Sequence, residues 1–195
     1  LLLMPIGTAH GLSPGDAIRP TGHPMMIEAG PGLLGRVIDA AGSPLDGKGV
    51  LSGVTATART SRTRNPLENA PVQEALDVGV RAINALTSLG RGQRIGLFAG
   101  SGVGKSVLLS MMTRFTEADV TVIGLVGERG REVGDFVREV LGEHGLARAV
   151  IVAAPADEPP LRRVHAAVRA TTIAERFRDD GYNVLLLMDS LTRYA

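Results

Sequence analysis

The sequence predicts an α/β fold built on a mostly parallel sheet, and three observations carry that reading. Residues 99–106 (Ala-Gly-Ser-Gly-Val-Gly-Lys-Ser) form a glycine-rich turn between a short apolar run at 94–98 and a helical segment opening at Val107. The continuous apolar runs at 120–126, 149–154 and 183–188 have the pattern of strands buried on both faces. Helix-period segments alternate with these runs, which is the arrangement of parallel strands joined by right-handed crossovers.

Taken in order, residues 1–27 hold short β-like pieces broken by turn signals such as His10-Gly11 and Ser13-Pro14-Gly15-Asp16. They are expected to be the carboxyl-terminal part of an amino-terminal β-barrel domain, with the main domain running over 28–195. A strand and loop over 30–39 and 42–47 enter that domain, and the irregular 52–71 stretch reads as an extended, solvated connection. Its arginines read as solvated charges of a polar loop. A helix is expected near 75–88, then a buried strand at 94–98 feeding the glycine-rich turn. After the 120–126 strand, Gly127-Glu128-Arg129-Gly130 leads into a helix through about residue 143. His144 beside Gly145 suits that helix end, where a partial positive charge matches the dipole. Beyond the 149–154 strand, the Pro155–Pro160 break precedes a long helix with Leu161, Val164, Val168, Thr171, Ala174 and Phe177 on one face, stopped by Gly181. The chain opens on Leu1 inside a strand-like run and stops at Ala195 where a helix should start, so it is expected to be a fragment of a longer protein.

The glycine-rich turn is a phosphate-binding loop in its expected setting. Glycines let successive backbone N–H groups point inward, and the following helix adds the positive end of its dipole. Gly100, Ser101, Gly102, Val103, Gly104, Lys105, Ser106 and Val107 are the candidate nucleotide-binding residues. Lys105 would reach the β- and γ-phosphates, and the Ser106 hydroxyl would sit on Mg²⁺. The first glycine of the strict pattern is replaced by Ala99, a position that asks only for a small residue. Asp189 closes the apolar run at 183–188. An acid at the carboxyl end of a buried parallel strand lies where open α/β sheets bind ligands, and it can hold the water shell of Mg²⁺ opposite Ser106. The ligand these residues specify is a nucleoside triphosphate with its magnesium.

Composition narrows the alternatives. A formal net charge of +1 with 3% aromatic residues offers neither the charge nor the stacking platforms for tight nucleic-acid binding. With no cysteine there are no disulfides or thiolate metal sites, which fits a reducing cytoplasm. The four histidines show no ligand spacing, and no apolar run approaches the length of a membrane span.

With these residues laid out, the chain resembles the rotary-type ATPases built on a RecA-like core, and within them the flagellar protein-export ATPases. The resemblance covers nearly the whole chain. It rests on Gly32-Leu33-Leu34-Gly35-Arg36-Val37 with Pro44-Leu45-Asp46-Gly47, and on residues 79–86 with 90–94. It rests also on Gly127-Glu128-Arg129-Gly130-Arg131-Glu132 and on Asp189-Ser190-Leu191-Thr192-Arg193-Tyr194-Ala195. The stretches 96–109 and 153–158 look flagellar rather than injectisome-like.

The resemblance implies roles. Catalytic subunits of the family carry a glutamate at the position of Glu128, where their non-catalytic partners place glutamine. A carboxylate there can polarise the attacking water. Arg129 would contact the γ-phosphate, Glu132 would help order the Mg²⁺ waters, and Arg193 would face the phosphates. For each arginine the plainer alternative is a surface ion pair with a nearby carboxylate. The implied activity is ATP hydrolysis energising type III export of flagellar proteins by a homo-oligomeric, hexameric ring. That ring would be cytoplasmic and peripherally attached to the inner membrane. Its implied partners are ATP and ADP, a stator-like regulator, a coiled-coil stalk protein, the export gate and chaperone–substrate complexes. The adenine contacts and the arginine finger of the family are expected outside these residues. The competing readings are an injectisome export ATPase, the catalytic subunit of a proton-translocating ATP synthase and, more remotely, an RNA-translocating ring.

Overall fold

The computed structural model describes residues 11–20, 22–23, 25–58, 65, 67, 70–100 and 102–194. The expected barrel segment therefore lies partly outside the described residues, and 11–20 carry no helix or strand. The first regular elements are β1 (Met26–Ala29), a 3₁₀ turn at Pro31–Leu33, β2 (Arg36–Asp39) and β3 (Thr55–Ala58). They are followed by β4 (Ala75–Leu76), α1 (Arg81–Leu86), β5 (Leu89–Gly90) and α2 (Lys105–Phe115). Next come β6 (Val120–Val126), α3 (Gly130–Asp135), a π-helical segment at Phe136–Leu141 and α4 (Gly142–Leu146). The remaining elements are β7 (Ala149–Ala154), α5 (Pro160–Asp179), β8 (Val184–Asp189) and the short α6 (Leu191–Tyr194).

The central sheet has the order β2-β7-β6-β8 and is parallel throughout. Every residue of β6 and β7 is buried, because helices cover both faces and alternation has no solvent side to point to. Val122, Val126, Val150 and Val152 pack on one side with Ala166, Ala170, Ile173 and Phe177 of α5 and with Ile27 of β1. Ile123, Leu125, Ile151, Ala153 and Leu187 pack on the other with Ile83 of α1, Leu109 and Met112 of α2 and Phe136. Register then places strand ends: Leu125 lies opposite Asp189, and Val126 opposite Ala154.

Several elements differ from expectation. The 94–98 run is not a strand: it has no ladder partner among the described residues, and Ile95 is 45% and Phe98 97% exposed. The chain leaves β5 through a turn closed by the Gln93 N–H on the Gly90 carbonyl and continues largely exposed, with only Leu97 of 94–98 half-buried against the core. Apolar composition makes a strand only where a neighbour accepts its backbone bonds. The 75–88 segment divides into β4, which pairs antiparallel with β5, and the shorter α1. The helix after Gly130 runs beyond 143, but through a π-helical section in which the Ser110 hydroxyl of α2 donates to the Val140 carbonyl at 2.8 Å. Within the 52–71 connection, β3 pairs antiparallel with β1.

A candidate nucleotide site at the strand ends

The glycine-rich turn stands at the amino end of α2. Gly102 has φ +78° and Gly104 has φ +92°, left-handed conformations that a side chain would strain, and Gly104 is the residue from which the helix starts. Ser101 lies outside the described residues. Gly100, Val103, Gly104, Ser106 and Val107 are exposed, and Lys105 is half-buried.

Lys105 reaches across to β8. Its Nζ lies 2.5 Å from Oδ1 of Asp189, which is buried at the strand end. The turn and the acid, separated by 84 positions in sequence, are thereby neighbours. Beside them a cavity of about 200 Å³ is lined by Ser106, Glu128, Glu132 and Asp189, with Leu125, Val133, Phe136 and Val140 forming its apolar wall. The structure thus brings Lys105, Ser106, Glu128, Glu132 and Asp189 to one end of the sheet.

Glu128 sits just beyond β6, its loop pinned by the Gly127 N–H on Ala154 O (2.7 Å) and by the Ala156 N–H on Glu128 O (2.9 Å). Its carboxylate meets the Arg193 guanidinium at 2.8 Å. Burial raises the Glu128 pKa above the usual carboxylate range; the hydrogen bond shared with Glu132 and the charge of Asp189 act the same way, and Arg193 opposes them. Glu132 moves down, chiefly because Glu128 hydrogen-bonds to it. Glu128 is therefore the more basic of the two carboxyls. Arg129 is directed elsewhere: its side chain is 80% exposed and lies 3.2 Å from Glu132. For both Arg129 and Arg193 the carboxylate-partner alternative is the observed arrangement.

Magnesium fits this donor set. The Ser106 hydroxyl and the carboxylates of Glu128, Glu132, Asp135 and Asp189 line one cavity, and all are hard oxygen ligands. Among the described residues no group of three or more His, Cys, Asp or Glu side chains could hold a metal alone. Such a site suits a cation that keeps its waters and takes its other ligands from bound phosphates.

A parallel sheet whose adjacent strands end in acids, facing a glycine-rich turn that opens a helix, defines the phosphate-loop class of α/β domains. Within that class the chain belongs to the ATP synthase alpha/beta family, whose nucleotide-binding domain matches residues 79–195. It is 58% identical over 193 residues to the flagellum-specific ATP synthase of Pseudomonas aeruginosa, covering 99% of this chain and 43% of that protein. To the flagellum-specific ATP synthase of Salmonella typhimurium it is 54% identical, covering 100% of this chain and 44% of that protein. Among solved structures it superposes with a TM-score of 0.82 and 47% identity on the assembled ATPase EscN in complex with its central stalk EscO, from the enteropathogenic Escherichia coli type III secretion system. That match covers 87% of this chain and 42% of that one. The chain thus spans less than half the length of these relatives.

Proposed function

We propose that these residues form the ATP-hydrolysing site of an ATPase that energises type III export of flagellar proteins across the cytoplasmic membrane. The observation that carries the reading is the meeting of Lys105 with Asp189 beside the cavity that Glu128 lines. The phosphate-loop backbone and Lys105 hold the β- and γ-phosphates, with Arg129 available to the γ-phosphate from its exposed position. Ser106, with Asp189 and Glu132 acting through water, would hold Mg²⁺. When bound, the ion neutralises phosphate charge. Glu128 accepts a proton from the attacking water as the water oxygen bonds to the γ-phosphorus. The bond from that phosphorus to the β–γ bridging oxygen breaks, leaving ADP and phosphate. Burial of Glu128 supports this assignment, since a raised pKa makes it the better base.

The flagellar reading draws support from the names of the relatives at 58% and 54% identity. The injectisome neighbour is 47% identical over a smaller share of the chain. That neighbour is described as assembled and bound to a central stalk. A homo-oligomeric, hexameric ring with a coiled-coil stalk is the corresponding arrangement here. A stator-like regulator, the export gate and chaperone–substrate complexes complete the proposed partners. The proposed location is the cytoplasmic face of the inner membrane, by peripheral attachment; no described helix is long and apolar enough to cross a membrane. Residues 1–27 are proposed as the end of a barrel domain and 28–195 as the ATPase domain.

Lys105→Ala tests the site. In the complete gene product it should abolish ATP hydrolysis and weaken nucleotide binding, measured by phosphate release and by titration with a fluorescent ATP analogue. Turnover at the wild-type rate would refute the assignment.

A further inference from the structure

One hydroxyl joins the helix that follows the glycine-rich turn to the helical stretch that carries Glu132. Ser110 of α2 is buried, and its Oγ donates to the Val140 carbonyl at 2.8 Å. It stands one turn after Ser106, and residues four apart share a helix face. The same face of α2 thus presents the Ser106 hydroxyl to the cavity and, one turn on, the Ser110 hydroxyl to the segment that walls it. Val140 and Phe136 line that cavity together with Glu132.

The segment in question is π-helical, and it resolves a mismatch of phase. Phe136 and Val140 face the cavity, whereas Gly145 is buried where α4 packs on α2: a Cβ on Gly145 would lie 3.0 Å from Arg114 Cγ. From Phe136 to Gly145 an unbroken α-helix would make about two and a half turns and set the two on opposite sides. The wider π turn absorbs about one residue and returns them to one side. α3 runs into it without a break, the Phe136 N–H being shared by the Glu132 and Val133 carbonyls. The segment closes at Gly142, whose N–H donates to Val137 O. Gly142 has φ +65° and ψ −178°, a region that essentially only glycine enters, and a Cβ there would meet nothing within 4 Å.

We infer that Ser110 is a positioning residue for Glu132. Its bond to Val140 O holds the π-helical segment against α2 and so sets the span across the cavity between the Ser106 hydroxyl and the Glu132 carboxylate. Because Ser110 and Ser106 belong to one rigid helix, any movement of the phosphate loop carries the Glu132 wall with it. This role rests on the ATPase reading above, and the test separates the two.

In the complete gene product, Ser110→Ala should raise the Mg²⁺ concentration for half-maximal turnover about tenfold, the size expected on losing a group that orients a metal's surroundings. Affinity for a fluorescent ATP analogue, titrated without Mg²⁺, should stay within about twofold, since no phosphate contact is lost. Ser110→Thr keeps the hydroxyl and should recover part of the shift. Gly142→Ala disfavours the closing conformation without a clash and should move the Mg²⁺ midpoint the same way, which keeps the inference testable should Ser110→Ala not fold. In a Glu132→Gln background, adding Ser110→Ala should cost less than about twofold more, as expected of residues acting through one another. Circular dichroism melts establish which variants are folded. An unchanged Mg²⁺ midpoint in folded Ser110→Ala, whatever its melting temperature, overturns the inference. So does a loss of about tenfold in Mg²⁺-free analogue affinity, which would make Ser110 part of the phosphate loop's own fold, or two losses that multiply. Lys105→Ala run alongside distinguishes the levels: if it is active the site itself falls, and if it is inactive beside a Ser110→Ala variant of wild-type Mg²⁺ dependence only this role falls.

Discussion

Glu128 and Asp189 are both carboxylates at strand ends, yet their surroundings ask different things of them. Asp189 is buried against a lysine ammonium, whereas Glu128 shares its hydrogen bonding between Arg193 and another acid. Substitution by the isosteric amide should therefore separate them. Glu128→Gln keeps the shape and still accepts from Arg193, but it cannot take a proton. Its kcat should fall on the order of 10²–10⁴-fold while ATP affinity survives. Equal loss of both in steady-state and binding measurements would make Glu128 a structural residue. Asp189→Asn should instead raise the Mg²⁺ concentration needed for half-maximal turnover, because a neutral amide holds the metal's waters less well. A magnesium titration with unchanged midpoint would place the metal elsewhere. Lys105, Ser106 and Asp189 were legible in sequence because glycine-lysine-serine chemistry and an acid closing an apolar run are local patterns. The Arg193–Glu128 contact was not, since 65 positions separate the two and nothing in either neighbourhood specifies the pairing.

At the scale of elements, β2 is anchored by chemistry that its apolar pattern does not reveal. Arg36 within it forms two bonds to Asp46, from Nε at 2.7 Å and Nη2 at 3.1 Å, and Nη2 also donates to Gly49 O. Asp46 in addition accepts the N–H groups of Val37 and Lys48. Burial works against the Asp46 charge, but the arginine and the two N–H groups outweigh it, so its carboxyl is held well below the usual range. A lowered folded-state pKa contributes stability above the unfolded value of 3.8, and that contribution is lost as pH falls through the folded value. Asp46→Asn should accordingly lower the melting temperature at pH 7, with the gap to wild type closing only below about pH 4. A gap that stays constant on acidification would mean the loop is held by shape alone. The same scale explains what was legible in the sequence. β6 and β7 were read from mostly apolar runs because both their faces are covered, and β8 from the apolar run that Asp189 closes. Thr55–Ala58 gave no such signal, being small residues none of which is fully buried. The π-helical turn at 136–141 keeps an apolar composition that an α-helix would share, so only the structure distinguishes it.

For the whole molecule, the sheet is closed on one side of β8 and open on the other. Among the described residues β8 pairs with β6 alone, Leu186 is 38% exposed, and Phe98 stands fully in solvent nearby in sequence to the phosphate loop. An edge presenting unpaired N–H and C=O groups beside apolar side chains invites pairing with another chain. The 195-residue polypeptide should therefore associate as its concentration rises, read by sedimentation velocity, and Leu186→Lys should suppress the association. A wild-type chain that stays monomeric across the series would show the edge to be protected.

The spacing of β6 and β8 has one more consequence. Glu128 and Asp189 leave from neighbouring strands held in the Leu125–Asp189 register, so the gap between their loops is set by the inter-strand repeat of about 4.8 Å. A core substitution can loosen the sheet without altering that ruler. Slipping β8 by one residue does the opposite: the hydrogen bonds re-form, but every side chain on the strand inverts and Asp189 turns to the wrong face. Single-residue insertions or deletions in 184–188 should thus give folded, inactive protein, whereas conservative apolar exchanges at the same positions are tolerated. The sheet serves this site as a fixed gauge, intolerant of miscounting and forgiving of composition.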